Sequence, residues 1–293
     1  MHGVLVLDKP PGMSSAAAVE HVKRALGAAR AGHGGTLDPL ATGVLPVCID
    51  AGTKLAPYLL ADDKAYEAEG LFGIETDTLD RGGRVLRESA VEVTEAALRA
   101  AIAQRIGEQE QVPPMFSAIK QGGVRLYDLA RAGEEVERAP RKIRIDTLEL
   151  VMFEPPRFRI AIACSKGTYV RTIVADLGTD LGCGAHLTQL RRTRSGRFTL
   201  AQAVAFDRLG DPDLRELIIP LAEVTALPSI TVPEPMRKHA LSGVQFAVEA
   251  WGELHEKAER FQLVDERGRL IAIVHFEAGK TIYDRVFPEV AGT

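Results

Sequence analysis

Gly32-His33-Gly34-Gly35-Thr36-Leu37-Asp38-Pro39-Leu40-Ala41-Thr42-Gly43-Val44-Leu45-Pro46 places one carboxylate, Asp38, in a turn crowded with Gly and Pro, just before an apolar segment. Glycine opens backbone conformations closed to other residues and permits close approach, while Pro39 biases the residue before it toward extended backbone. An acid held this way is presented to a partner. Candidate chemistry therefore centres on Asp38.

Outward from this turn, strands and helices intersperse. Residues 44–49 read as a strand, and so do residues 4–7, which run into the turn Asp8-Lys9-Pro10-Pro11-Gly12. Ser14 or Ser15 can cap a helix that carries Val19, Val22 and Leu26 on one face and stops at Gly27. Residues 64–72 alternate Tyr66, Ala68, Gly70 and Phe72 against polar or small partners, as in a half-exposed strand. The spacing predicts an amphipathic helix over 94–106, with Leu98, Ile102 and Ile106 in register and Gly107 beyond its end. A shorter helix is expected within 123–133. Segments 143–153 and 157–164 flank Pro155-Pro156 and can pair as an antiparallel ribbon, and Val170, Ile173, Val174 and Leu177 give 168–181 helical spacing. Half-exposed strands among helices favour an α+β fold over a doubly wound parallel sheet: a mixed, mainly antiparallel sheet with flanking helices.

A chain of 293 residues suggests two domains. Prolines 228, 233 and 235 mark a linker, so the boundaries are drawn at 1–225 and 230–293. The second part reads as short strands at 244–248, 260–264, 270–274 and 284–287, with Glu266-Arg267-Gly268-Arg269 as a turn, which fits a small β-barrel or sandwich. Apolar residues make up 46% and charged residues 26%, ordinary values that argue against long disordered tails. No window reaches the ~20 apolar residues a membrane span needs, and residues 1–4 do not open a basic segment followed by an apolar one. A soluble, cytoplasmic protein is expected.

The three cysteines, Cys48, Cys164 and Cys183, lie far apart in apolar or Gly-rich surroundings and read as small buried side chains. The seven histidines make no metal-ligand spacing with them, so neither a metal nor a cofactor is expected. A net charge of -4 counts against general nucleic-acid binding, so any RNA affinity must be local. Arg191, Arg192, Arg194 and Arg197 form one basic cluster, and Arg138, Arg141, Lys142 and Arg144 another. A solvated charged face explains such clusters equally well.

The Asp38 turn resembles the signature of the TruB-type family of tRNA pseudouridine synthases, with Gly34 standing where that pattern carries Thr. Separate blocks agree in order across residues 1–225: Val4-Leu5-Val6-Leu7-Asp8-Lys9-Pro10-Pro11-Gly12-Met13-Ser14-Ser15, Asp63-Lys64-Ala65-Tyr66, Gly73-Ile74-Glu75-Thr76-Asp77-Thr78-Leu79-Asp80, and Pro113-Pro114-Met115-Phe116-Ser117-Ala118. Arg125-Leu126-Tyr127, Cys164-Ser165-Lys166-Gly167-Thr168-Tyr169-Val170-Arg171-Thr172 and Gly182-Cys183-Gly184-Ala185-His186-Leu187-Thr188-Gln189-Leu190-Arg191-Arg192 complete the series. The second part, through Leu241-Ser242-Gly243-Val244 and Gly268-Arg269-Leu270-Ile271-Ala272-Ile273, looks like a PUA domain, an RNA-binding barrel.

The resemblance implies a pseudouridine synthase fold, and isomerisation of the uridine at position 55 in the T-loop of transfer RNA by a monomer that needs no protein partner. It makes Asp38 the essential carboxylate, which attacks C1′, adds to C6 or removes a sugar proton. Arg171 would hold Asp38 through two parallel hydrogen bonds and lower its pKa. Tyr66 would face the extracted uracil, and Leu190 would close the apolar side of the pocket. His33 would fill the space the base vacates or touch neighbouring bases. Lys9, Lys166, Arg191 and Arg192 would contact phosphates. Three other readings stand beside this one. They are a non-catalytic RNA-binding or tRNA-folding protein, a synthase acting on another RNA, and a glycoside hydrolase, which needs a second carboxylate facing Asp38. Asp63, Asp77 and Asp80 have no sequence reason to face it.

Overall fold

The computed structural model describes residues 1–117, 119–131, 133–134, 136–247, 251 and 258–288. Ala118 and Val248, which end two of the segments above, lie outside the described residues, as do the side chains of Arg125 and Tyr127. The first part is built on an eleven-stranded sheet. Its principal strands are β1 (Gly3–Lys9), β2 (Ala31–His33), β3 (Thr42–Ile49), β4 (Lys64–Phe72), β5 (Gly107–Gln111), β6 (Arg141–Glu154), β7 (Arg157–Cys164), β8 (Ala185–Ser195) and β9 (Val204–Ala205). Their spatial order is β9-β1-β3-β8-β4-β7-β6-β5, with β2 paired to β3. Most pairs are antiparallel, while β1 with β9 and β3 with β8 are parallel, so the sheet is mixed and mainly antiparallel. The helices are α1 (Ser15–Leu26), α2 (Ala56–Ala61), α3 (Glu95–Ala103), α4 (Leu126–Arg131), α5 (Val170–Asp180) and α6 (Glu234–Leu241).

Both faces of the sheet are covered, which explains the unbroken apolar run of β1. Leu5 and Leu7 join one core with Val19, Val22 and Leu26 of α1 and with Ile173, Val174 and Leu177 of α5. Val4 and Val6 point the other way, into a second core shared with Leu270, Ile273 and Phe287 from the far end of the chain. The period of two along a strand makes that division. Helix α1 starts on the Ser14 hydroxyl, which accepts from the Ala17 N–H at 3.1 Å, and ends on Gly27 in the left-handed conformation at φ 63°.

Two expected elements differ. Helix α3 stops at Ala103, and Ile106 is exposed, because Gly107 at φ 108° opens strand β5 opposite Ile145. The glycine signals a turn into a strand and not a helix cap. The proline-rich segment is likewise no loose linker: Ser229–Thr231 forms β10, parallel to β11 (Phe261–Val264), with Pro228 before it and Pro233 at the cap of α6. Strands β12 (Leu270–Glu277) and β13 (Lys280–Val286) complete a sheet of order β10-β11-β12-β13. Among the described residues this is an open four-stranded sheet that does not close into the small barrel the sequence suggested as one of two forms; of residues 244–248, Ala247 makes an isolated bridge to Lys280. All three cysteines are buried and unpaired. No helix among the described residues is long and apolar enough to cross a membrane.

Candidate functional site

The turn of residues 35–39 is held from behind by three side chains. Ser15, left free because Ser14 does the capping, accepts from the Leu37 N–H at 2.7 Å and donates to the Leu37 carbonyl at 2.9 Å. Lys9 donates from Nζ to the carbonyls of Pro10 and Met13 at 2.9 Å and of Pro39 at 3.4 Å. Arg192 donates to the carbonyls of Val44 at 2.7 Å, Thr36 at 3.2 Å and Gly35 at 3.1 Å. Arg192 reaches the turn because β3 and β8 cross closely at Gly43. A Cβ there would sit 2.2 Å from the Arg192 carbonyl oxygen, and φ is 99°. Only glycine fits that crossing.

Lys9 and Arg192, expected at phosphates, are instead fully buried behind the turn. Lys9 Nζ donates to backbone carbonyls, and Arg192 donates to three carbonyls as well as standing at hydrogen-bonding distance from the Tyr66 phenol. Burial, with Arg192 nearby, lowers the Lys9 pKa to about 8, partly opposed by the Asp38 charge. Arg191 points outward and holds Asp8 in a two-pronged pair, at 2.7 and 3.1 Å, while remaining partly exposed. Lys166 is exposed in the turn between Ser165 and Gly167.

In front of the turn lies a cavity of about 300 Å³ lined by residues that include Asp38, Tyr66, Arg171 and Leu190. Strand register brings two of these together: in the β4–β8 pair Tyr66 stands opposite Arg192, and Leu190 opposite Ala68. Burial pushes the Tyr66 phenol pKa up, and the Arg192 guanidinium at hydrogen-bonding distance opposes that rise. Arg171 is the second residue of α5. The start of that helix is fixed by Gln111, whose amide accepts from the Tyr169 N–H at 2.8 Å and donates to the Tyr169 carbonyl at 3.2 Å.

Arg171 Nε lies 2.9 Å from Asp38 Oδ2. The pairing is single and not the expected two-pronged one, because Nη1 donates to the Thr78 carbonyl and Nη2 to the Phe116 carbonyl, each at 2.9 Å. The fork is thereby locked, with one edge presented to Asp38. The expected fall in the Asp38 pKa is also reversed. Asp38 lines the cavity, and burial raises its pKa against the pull of Arg171, with the Asp80 charge adding to the rise. Asp80, which nothing in the sequence places near the site, approaches Arg171, with Oδ2 at 3.8 Å from Nη1. It stands behind the guanidinium, bound to the Thr78 hydroxyl and the Gly82 N–H, and does not line the cavity.

His33 ends β2, just before the turn, outside the cavity wall. Its Nδ1 is buried without a hydrogen-bond partner, and burial, with Arg192 second, lowers its pKa. Lys64, not singled out from sequence, also lines the cavity. Its Nζ donates to the carbonyls of Leu59 at 3.3 Å, Leu60 at 3.0 Å and Asp62, and burial lowers its pKa to about 8. The Asp63-Lys64-Ala65-Tyr66 block was its only sequence signal. Among the described residues no group of three or more His, Cys, Asp or Glu is placed to hold a metal.

Residues 23–170 match the model of the TruB family pseudouridylate synthase N-terminal domain, and residues 171–224 that of the tRNA pseudouridylate synthase B C-terminal domain. The tRNA pseudouridine synthase B of Stutzerimonas stutzeri is 53% identical over 207 residues, 71% of this chain and 68% of that protein. The Burkholderia mallei protein of the same name is 43% identical over 292 residues, 98% and 97% of the two chains. Among solved structures, a chain of a Cbf5-Nop10-Gar1 complex aligns over 99% of this chain and 87% of its own, with a TM-score of 0.78 and 25% identity. A chain of an archaeal box H/ACA Nop10-Cbf5 complex gives 0.74 at 26% identity, covering 97% and 85%. The two domain models meet at Arg171, on the wall of the cavity, and the chain belongs to the TruB family of pseudouridylate synthases.

Proposed function

We propose that this protein isomerises uridine 55 in the T-loop of transfer RNA to pseudouridine. One observation carries the reading: the Asp38 carboxylate is held on one edge of a locked Arg171, in a cavity that Tyr66 and Leu190 also wall. The C1′–N1 bond is broken, the uracil turns, and C1′ joins C5; the C5 proton leaves to solvent and N1 takes one up. No oxidant, reductant or group donor enters the balance.

Asp38 is the essential group, acting at C1′, at C6 or on a sugar proton. Arg171 aims it and opposes the rise in its pKa. Tyr66 offers a flat face to the base and a phenol for the C5 proton, and Leu190 closes the apolar side. A stacked uridine cannot reach Asp38, so it is flipped out at a cost of a few kcal/mol in stacking. His33 meets the gap or the neighbouring bases. Lys166 and the exposed edge of Arg191 meet phosphates, which position the RNA without reading it. The unit at 230–293 is a PUA-like RNA-binding domain in this reading, and the protein works as a cytoplasmic monomer with no obligatory protein partner.

A pure RNA binder has no use for a carboxylate aimed by an arginine that is itself held on two backbone carbonyls. A glycosidase needs two acids facing one bond, and Asp80 is screened by Arg171. Mapping pseudouridine in an unmodified tRNA transcript tests the proposal. Modification at position 55, and none in a transcript carrying cytidine there, is expected. Modification elsewhere points to another RNA target, and none at all to a binder.

A further inference from the structure

Gly34, the departure from the family pattern, packs directly against helix α2. A Cβ built on Gly34 would lie 2.7 Å from Leu59 Cβ and 2.9 Å from Leu59 Cδ1. Atom pairs of this kind do not approach so closely, and Leu59 Cβ is tied to its backbone, so no rotamer change relieves the contact. Either α2 or the turn must move. Gly34 is itself fixed by its N–H, which donates to the Pro46 carbonyl at 2.9 Å, and its neighbour Gly35 is held by Arg192.

Leu59 is in turn gripped from the other side. It is 2% exposed and belongs to the core that includes Leu270, Ile273 and Phe287 of the C-terminal sheet. Lys54, just before α2, donates to the Val286 carbonyl at 2.9 Å and lies 5.4 Å from the centre of the Phe287 ring. Lys64 ties the carbonyls at the end of α2. Packed contact thus runs from the C-terminal sheet through α2 to the residue beside the Asp38 turn.

We propose that Leu59, seated on Gly34, is a positioning residue for the Asp38 turn, and that the C-terminal sheet contributes to the chemical step by holding Leu59 there. It deepens the pseudouridine synthase reading and rests on it. The sheet then has a role in kcat as well as in RNA affinity.

The test measures kcat and KM for pseudouridine formation on unmodified tRNA, below the melting temperature of every variant. Gly34→Ala should lower kcat about tenfold with KM within twofold, since a displacement well under 1 Å at a catalytic group costs that order of rate. Leu59→Ala removes the atoms beyond Cβ, Cδ1 among them, and with them part of the seat on Gly34; it should lower kcat severalfold with KM within twofold. Leu59→Met, which refills that space, should keep kcat near the parental value, a rescue that loss of stability alone does not produce. Ile273→Ala, remote from the cavity, should lower kcat severalfold at saturating tRNA. The inference is overturned if Gly34→Ala or Leu59→Ala keeps the parental kcat, if Leu59→Met loses as much kcat as Leu59→Ala, or if Ile273→Ala changes KM alone. An inactive parental protein would instead defeat the underlying reading.

Discussion

Replacing Arg192 by Met separates two roles for this side chain, because the basic cluster suggests RNA contact and the structure assigns support of the turn. Arg192 is 1% exposed, and three of its N–H groups donate to the carbonyls of Val44, Thr36 and Gly35. Carbonyls stripped of their donors cost about 1–3 kcal/mol each. Methionine recovers part of that sum because it carries no buried charge. A net loss of about 3–5 kcal/mol follows from these two effects. Unfolding entropy of roughly 2.1 cal/mol/K per residue gives about 0.6 kcal/mol/K for the chain, so Tm should fall by roughly 5–8 °C. Thermal unfolding reads this directly, and kcat should fall with it because the Asp38 turn and Tyr66 both lean on Arg192. Binding of tRNA at several salt concentrations reads the other role, since each phosphate contact contributes about 0.7–0.9 to the slope of log K against log salt. The slope should be unchanged. An unaltered Tm together with a slope reduced by about 0.8 would refute the assignment.

Lys166→Ala should do the reverse, reducing the salt slope by one contact and raising KM with Tm and kcat unchanged; a fall in kcat alone would remove Lys166 from the RNA interface. Asp38→Asn should abolish turnover without lowering Tm at pH 7. Burial raises the folded pKa of Asp38 above its unfolded value, so its stabilising contribution is present below the unfolded pKa and lost as pH rises through the folded one. The neutral amide removes that cost, and a Tm several degrees below the parent would contradict the direction of the shift. For the same reason the acid limb of the kcat profile should fall at a pH above the ordinary carboxylate range. Arg171→Lys should lower kcat by about 100-fold or more, because one ammonium cannot serve Asp38, Thr78 and Phe116 in three directions; a loss under tenfold would show that charge alone suffices.

Much of the frame is legible in the sequence. Strands β4 and β7 start and stop where alternation and the flanking prolines place them, and Ser14 and Gly27 bound α1 as capping chemistry requires. What misleads is charge and local punctuation. Arg191 and Arg192 look like one solvated patch, yet they alternate along a central strand, so one points outward to Asp8 and the other into the interior. Lys9 closes an apolar strand, and nothing local shows that three carbonyls wait for its ammonium. Ile106 keeps helical spacing with Leu98 and Ile102, but the strand partner that claims Gly107 lies far along the chain. Asp80 and Gln111 show the same limit at the site, since their contacts with Arg171 and Tyr169 exist only once the sheet is assembled. The Asp38 turn itself reads directly because its Gly and Pro content fixes a local conformation.

The central claim is that Asp38 drives an isomerisation, and release of tritium from C5-labelled uridine in unmodified tRNA tests it most directly. The parental protein and its Asp38→Asn variant are compared without added metal. Release by the parent and none by the variant, with tRNA bound equally by both, is the predicted result. Release by both, or by neither while tRNA remains bound, would contradict the account.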